Sequence, residues 1–312
     1  MKNQIAIQMD NIETIDYEFD TSFLIGYEGQ NRNYEIFYYN PKDLLIENGN
    51  IQATGYYLKL NLDQNNYFKY TSNKTKVELK NFSYIFLRQD PPFNMNYITS
   101  TYILDLLPET TIVVNNPTAV RNATEKLFTF NFKEFMPPTI VTKNLHEIEN
   151  FLNKFGDIIT KPLYGNGGEG IHRFDKNNFD PAIIEKYLHL PIMVQKYINE
   201  IDQGDRRLII IDGEYCGSVA RIPKDGDSKA NFHAGGIPRK TGLVFRDKKI
   251  IDTVGPLLKE NNLFFVGIDI IGDYLTEVNV TSPTGIKQIN MLNNVNLEKV
   301  FWDKLEAKYK LV

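Results

Sequence analysis

Near the C-terminal end of the chain, Glu277 and Asn279 stand two residues apart in the run Leu275-Thr276-Glu277-Val278-Asn279-Val280. Alternate side chains of a strand share a face, so this spacing presents a carboxylate and an amide oxygen on one side. Hard Mg²⁺ favours such oxygen donors and completes its shell with phosphate oxygens and water. Asp269 lies on the preceding run, across the turn Gly272-Asp273. A plain two-residue turn would set Asp269 against Thr276, so we expect a bulge or a three-residue loop that brings it opposite Glu277. The flanking Val, Ile, Leu and Phe argue against a solvated face, because carboxylates among them are costly to bury without a cation or donor.

A second candidate is Gly165-Asn166-Gly167-Gly168-Glu169-Gly170, just after a strand-like run ending at Lys161. Amides lacking a neighbouring Cβ approach phosphate oxygens closely. Gly165, Gly167 and Gly170 match the dinucleotide fingerprint, which would suit a nicotinamide-dependent oxidoreductase if a helix opened directly after them. Ile171-His172-Arg173-Phe174 alternates like a strand instead, so we expect a glycine hairpin folded over nucleotide phosphates. Lys161 and Lys126 are candidate phosphate cations. Arg88, at the C-terminal end of a strand, suits a substrate carboxylate, while Arg207 and Arg221 on neighbouring strands suit charge on a transferring group. The aperiodic stretch 223–242 has the length of a lid that would exclude water from a reactive intermediate; His233 within it is given no catalytic role.

Positioning these groups requires alternating elements. The first third reads as strands at 5–9, 34–39, 84–87 and 111–114, with helices at 21–32 and 97–107 and an excursion or hairpin around 61–80. A helix is expected over 124–132, then strands at 139–141, 157–161, 170–174 and 192–198 with helices at 145–155 and 181–188. The final third is strand-rich at 207–211, 215–222 and 264–279, with helices at 250–261, 285–292 and 297–310. At 312 residues, with 42% hydrophobic and 24% charged residues and a net charge of −4, the chain has the composition of a soluble α/β protein of two or three modules. The mild acidity speaks against nucleic acid as partner. No apolar run approaches membrane-spanning length, and the single Cys216 fits a reducing cytoplasm.

The ordered set Glu125-Lys126-Leu127-Phe128, Lys161-Pro162-Leu163 with the glycine run, Gln195-Lys196-Tyr197-Ile198, Gly204-Asp205-Arg206-Arg207 and 269–279 resembles the ATP-grasp superfamily. Arg88-Gln89-Asp90-Pro91-Pro92-Phe93, Val219-Ala220-Arg221-Ile222-Pro223 and Asn279-Val280-Thr281-Ser282-Pro283-Thr284-Gly285 are similar to the bacterial glutathione synthetases, nearly from end to end. The resemblance implies an ATP-grasp fold behind a Rossmann-like N-terminal domain, divided as 1–122, a lid subdomain at 123–198 and a catalytic subdomain at 199–312. It implies an ATP-dependent ligase joining γ-glutamylcysteine and glycine through an acyl phosphate, with another carboxylate-amine ligase as the nearest rival. On this basis Lys126, Lys161, Gly165, Asn166, Gly167, Gly168, Gly170, Gln195, Lys196, Tyr197, Ile198 and Asp205 would hold ATP. Asp269, Glu277 and Asn279 would hold two Mg²⁺ ions, or Mn²⁺ in their place. Arg88, Arg207, Arg221, Asn231, Ser282, Pro283, Thr284 and Gly285 would bind the peptide, with Arg207 and Arg221 catalytic. A homo-oligomer, tetramer or dimer, is implied as well. The chain departs from the family pattern after Gly236, where Ile237-Pro238-Arg239-Lys240 is short, and at Lys287, where arginine is more usual.

Overall fold

The computed structural model describes residues 3–165, 167–223, 231–232 and 235–309. Three sheets follow one another along the chain. The first holds β1 (Gln4–Gln8), β2 (Glu35–Tyr39), β3 (Leu44–Glu47), β4 (Asn50–Leu60), β5 (Phe68–Tyr70), β6 (Thr75–Glu78), β7 (Tyr84–Leu87) and β8 (Ile112–Val114). Its parallel core runs β2-β1-β7-β8, and β4 adds antiparallel to β2 and carries β3, β5 and β6. Apolar residues fill β1 and β7 on both faces, as a parallel strand covered by helices requires.

Helix α1 (Thr21–Asn31) begins where expected, with the Asp20 Oδ1 accepting from Phe23 N at 2.6 Å. Helices α2 (Met95–Leu104) and α3 (Pro117–Asn122) follow β7 and β8. Strand β4 carries no expectation of its own in the sequence, because Gly55 interrupts its pattern. That glycine is dictated by space: a Cβ there would lie 2.0 Å from the Tyr38 carbonyl oxygen. The helix expected over 124–132 is corrected to 3₁₀ turns over Leu127–Phe135, broken at Phe132. The Glu125 carbonyl accepts from Val278 N at 3.1 Å instead of continuing a helical ladder, and Phe132 and Phe135 turn inward.

The second sheet, order β11-β10-β12-β9, contains β9 (Thr139–Thr142), β10 (Asp157–Pro162), β11 (His172–Asp175) and β12 (Ile192–Lys196), all antiparallel. Helices α4 (Leu145–Phe155) and α5 (Pro181–Glu185) close it around its own core of Ile148, Phe151, Ile158, Phe174, Ile184 and Val194. The third sheet, order β15-β14-β13-β16-β17, contains β13 (Asp205–Ile211), β14 (Glu214–Ile222), β15 (Ile237–Lys240), β16 (Phe265–Ile271) and β17 (Tyr274–Asn279), again antiparallel. It packs with α6 (Phe245–Glu260), α7 (Ile286–Asn293) and α8 (Leu297–Tyr309).

The first and third sheets share two apolar cores. Trp302 of α8 joins them: its indole N–H donates to the Ile25 carbonyl at 2.8 Å, and its ring lies 5.5 Å from Phe86 and 4.8 Å from Tyr34. Among the described residues no helix is long and apolar enough to cross a membrane. Truncating this fully buried side chain as Trp302→Ala leaves a cavity and removes the indole hydrogen bond to α1. The expected loss is about 3–5 kcal/mol of unfolding free energy, read from urea denaturation, and a loss below about 1 kcal/mol would show that α8 does not bind the sheets together.

Candidate nucleotide and metal site

Between the second and third sheets lies a cleft of about 380 Å³. The second sheet contributes Ile159 and Lys161 from β10 and Gln195 and Lys196 from β12, while the third contributes Asp205, Arg207, Arg221, Asp269, Ile271, Glu277 and Asn279. Glycines 165, 167 and 168 line one side, and Asp90, Pro91 and 281–284 line another.

The expected hairpin irregularity is present. Asp269 pairs with Glu277, but Ile270 pairs with Leu275, so Thr276 is the extra residue of a bulge beside the Gly272-Asp273 turn. The Thr276 hydroxyl donates to the Asp269 carbonyl at 3.1 Å and ties the bulge down. Asn279 Nδ2 donates to Asp269 Oδ2 at 3.1 Å, so all three proposed oxygen donors belong to one patch. The donor set suits a hard divalent cation: two carboxylates and an amide whose nitrogen is already engaged, which leaves its oxygen for the metal.

Asp269 is also the centre of a buried chain of charge. Arg207 Nε and Nη2 donate to its two oxygens at 2.5 and 2.8 Å, and Arg221 Nη2 lies 2.9 Å from Oδ2. Arg221 in turn donates from Nε and Nη2 to both oxygens of Asp205 at 2.6 Å each. Burial alone would raise the Asp269 carboxyl; Arg207 and Arg221 overcome it and hold the group well below the usual carboxylate range. Asp205, expected among the ATP-holding residues, has both oxygens engaged by Arg221.

The glycine run joins β10 to β11 as an antiparallel hairpin, with Thr160 opposite His172. No helix follows Gly170, which removes the dinucleotide-fingerprint alternative. Gly167, Gly168 and Gly170 have φ of 61°, 80° and 71°, a left-handed stretch that side-chain-bearing residues resist. Lys126 Nζ donates to the Gly165 carbonyl and to Glu125 Oε1, both at 3.2 Å, and lies 4.0 Å from Glu277 Oε1. Lys161 is buried in the lining, and that burial lowers its ammonium's affinity for the proton. Gln195 is held by a 3.1 Å bond from Nε2 to Thr139 Oγ1, and Tyr197 is stacked by Arg173, whose guanidinium carbon is 3.6 Å from the ring centroid.

Of the residues singled out in the sequence, Arg88, Gly170 and Gly285 lie outside the lining, and Asn166, residues 224–230, His233 and Ala234 lie outside the described residues. Arg88 is buried beneath the lining turn, donating from Nε to Ser22 Oγ and from Nη2 to the Pro283 carbonyl at 3.0 Å each. Asp90 Oδ1 accepts from Ser282 Oγ at 2.6 Å, so two residues following β7 grip the 281–284 turn. Gly285, at φ 117°, then opens α7. Sequence reasoning assigned no role to Glu125 or Asp90. Glu125's neighbour Lys126 was the available signal for the first. Burial pushes Glu125 up to about 7, against the pull of Lys126 and with the repulsion of Glu277.

Two domain models match the chain: the N-terminal domain of prokaryotic glutathione synthetase over residues 3–121 and its ATP-grasp domain over 125–294. The glutathione synthetase of Mesorhizobium japonicum is 42% identical over 316 residues, covering 99% of this chain and 100% of that one. That of Agrobacterium fabrum is 42% identical over 309 residues, covering 97% and 96%, and that of Vibrio vulnificus YJ016 39% over 316, covering 99% and 98%. Among solved structures, D-cycloserine synthetase DcsG superposes with a TM-score of 0.68 at 13% identity, covering 98% of this chain and 99% of that one. A Chryseobacterium gregarium ATP-grasp ligase bound to ADP and peptides gives 0.64 at 16%, covering 99% and 97%. At such identities the structures show a shared fold and no more.

Two outcomes follow from these electrostatics. Replacing Arg221 by Met leaves Asp205 and part of Asp269 buried without their cation, so denaturation should show a loss of about 3–5 kcal/mol; an unchanged midpoint would mean the chain of charge is not stabilising. Burial pushes the Asp20 carboxyl up to about 6, against the Phe23 amide and Arg88. A carboxyl raised on folding binds protons more tightly in the folded state, so it favours folding below its unfolded value near 3.8 and loses that contribution as pH rises towards 6. Asp20→Asn keeps an N-cap but abolishes the titration. Relative to that variant, the parent should lose on the order of 1–3 kcal/mol between pH 4 and 6, and parallel stability curves would contradict the burial of this charge.

Proposed function

The chain belongs to the prokaryotic glutathione synthetase family, and from that premise we propose how its cleft joins γ-glutamylcysteine to glycine while ATP becomes ADP and phosphate. It is an ATP-dependent carboxylate-amine ligase of the ATP-grasp fold. The observation that carries the residue assignment is the bulged β16-β17 hairpin, which brings Asp269, Glu277 and Asn279 together beneath the glycine hairpin and between two antiparallel sheets.

In this reading Lys126, Lys161 and the amides of Gly165, Gly167 and Gly168 hold the phosphates, while Gln195 to Ile198 frame the base. Asn166, Gly170 and Asp205 remain part of the same proposed surface. Asp269, Glu277 and Asn279 would hold two Mg²⁺ ions, with Mn²⁺ as substitute. A divalent cation held by these residues would supply positive charge against the negative charge that develops on phosphoryl transfer. Arg207 and Arg221, already fixed by Asp269, direct positive charge at the peptide carboxylate and then at the acyl phosphate. Asn231, Ser282, Pro283, Thr284 and Gly285 seat the peptide, and Arg88 acts on that seat through the Pro283 carbonyl. The resemblance extends the proposal to a homo-oligomer working in the cytoplasm and to a division into 1–122, 123–198 and 199–312.

Phosphate release measured with γ-glutamylcysteine and ATP should rise on addition of glycine and stay near background with other amino acids or no acceptor; stronger stimulation by another amino acid would reject the acceptor assignment. Glu277→Gln preserves volume and removes a metal charge, so turnover should fall by about 100-fold or more while the unfolding midpoint holds. Near-normal turnover would remove Glu277 from the mechanism.

A further inference from the structure

The buried and half-buried charged groups of the lining compensate one another. Glu125, Asp205, Asp269 and Glu277 stand against Lys126, Lys161, Arg207 and Arg221 among the described residues; the other charged lining residues, Asp90, Glu169 and Lys196, are solvent-exposed. Each of the four acids faces a cation in the protein itself. Asp205 is held by Arg221, Asp269 by Arg207 and Arg221, and both Glu125 and Glu277 face Lys126 Nζ, at 3.2 and 4.0 Å. Lys126 is only 3% exposed, so its ammonium does not trade these partners for water.

We propose that Lys126 fills the place of the divalent cation while the cleft lacks nucleotide, so that metal enters with the nucleotide rather than ahead of it. This rests on Asp269, Glu277 and Asn279 being the metal ligands. A bare divalent ion meets carboxylates already neutralised at short range and a fixed ammonium beside Glu277, which repels it. Nucleotide phosphates change that balance. Lys126 already donates to Gly165 in the glycine hairpin, so a phosphate under that hairpin offers the ammonium a new anionic partner within reach. Drawn towards it, the ammonium leaves Glu277, and the incoming negative charge admits the metal. A near-neutral lining thereby receives a near-neutral complex of nucleotide and metal.

The test is Mn²⁺ uptake by the full chain, followed through the electron paramagnetic resonance signal of the free ion, with and without a non-hydrolysable ATP analogue, the analogue's own binding of Mn²⁺ being measured without protein and subtracted. The parent protein should bind Mn²⁺ at least about tenfold more tightly with the analogue than without it. Lys126→Met should gain about tenfold or more in Mn²⁺ affinity without nucleotide, and Lys126→Met combined with Glu277→Gln should lose that gain. Equal Mn²⁺ affinity of the parent protein with and without analogue would overturn the proposal without recourse to any variant. So would a folded Lys126→Met protein with no gain. The ligand assignment is read separately: if Glu277→Gln takes up Mn²⁺ with the analogue as well as the parent does, Glu277 is no ligand, whatever Lys126 does.

Discussion

Opposite charges paired across adjacent strands organise the third sheet. Arg207 on β13 is the direct cross-strand partner of Asp269 on β16, and Asp205 on β13 is the partner of Arg221 on β14. The side chains then close into the series Asp205–Arg221–Asp269–Arg207, all of it nearly inaccessible to water. Two guanidiniums and two carboxylates so buried are tolerable only because each is hydrogen-bonded to its neighbour; removal of Arg221 or Asp269 leaves the end member beyond it, Asp205 or Arg207, buried without its ionic partner. The arrangement also specifies register. A slip of one residue would turn these charges to the opposite face, among Leu208, Ile210, Ile268 and Ile270 of the apolar core.

From that fixed floor the remainder of the cleft is built in two parts of different rigidity. The floor shares its cores with the N-terminal sheet, through Trp302, Phe301 and Phe86, so it is backed by most of the apolar mass of the molecule. The opposite wall, the four-stranded sheet with α4 and α5, has a separate and smaller core. A wall with its own core can shift as a unit without disturbing the floor's charge pairs. Lys126 reaches across to the Gly165 carbonyl, and Ile159 and Tyr197 of the wall pack with Ile271 of the floor in a small apolar cluster of their own. In the proposed function the floor sets the geometry of the chemistry, while the other wall covers the nucleotide.

The N-terminal sheet contributes in a less direct way than its position suggests. The C-terminal ends of its parallel strands are where open α/β sheets hold ligands. Here Arg88 and Asp90, following β7, bond to Pro283 and Ser282, so the first sheet holds in place the turn of the third that is proposed to seat the peptide.

Periodicity and turn chemistry alone specified most elements, including the start of α1, helix α4 and the strand after the glycine run, because those signals are local. The two-residue spacing of Glu277 and Asn279 likewise placed both on one face, and the need to bring Asp269 alongside them required a bulge, which Thr276 supplies. What the sequence left open depends on contacts between distant segments. Strand β4 was hidden because Gly55 answers to the backbone of β2 rather than to its own neighbours. The segment after Thr124 has a helical pattern, yet the Glu125 carbonyl is taken by Val278, 153 residues further on, and the helix gives way to 3₁₀ turns. Residue types marked Arg88, Arg207 and Arg221 as cations for a substrate; only the tertiary structure decided that two of them are locked to Asp269 and the third lies beneath a turn. A side chain's chemistry is local, but its partner is chosen by the packing of the whole chain.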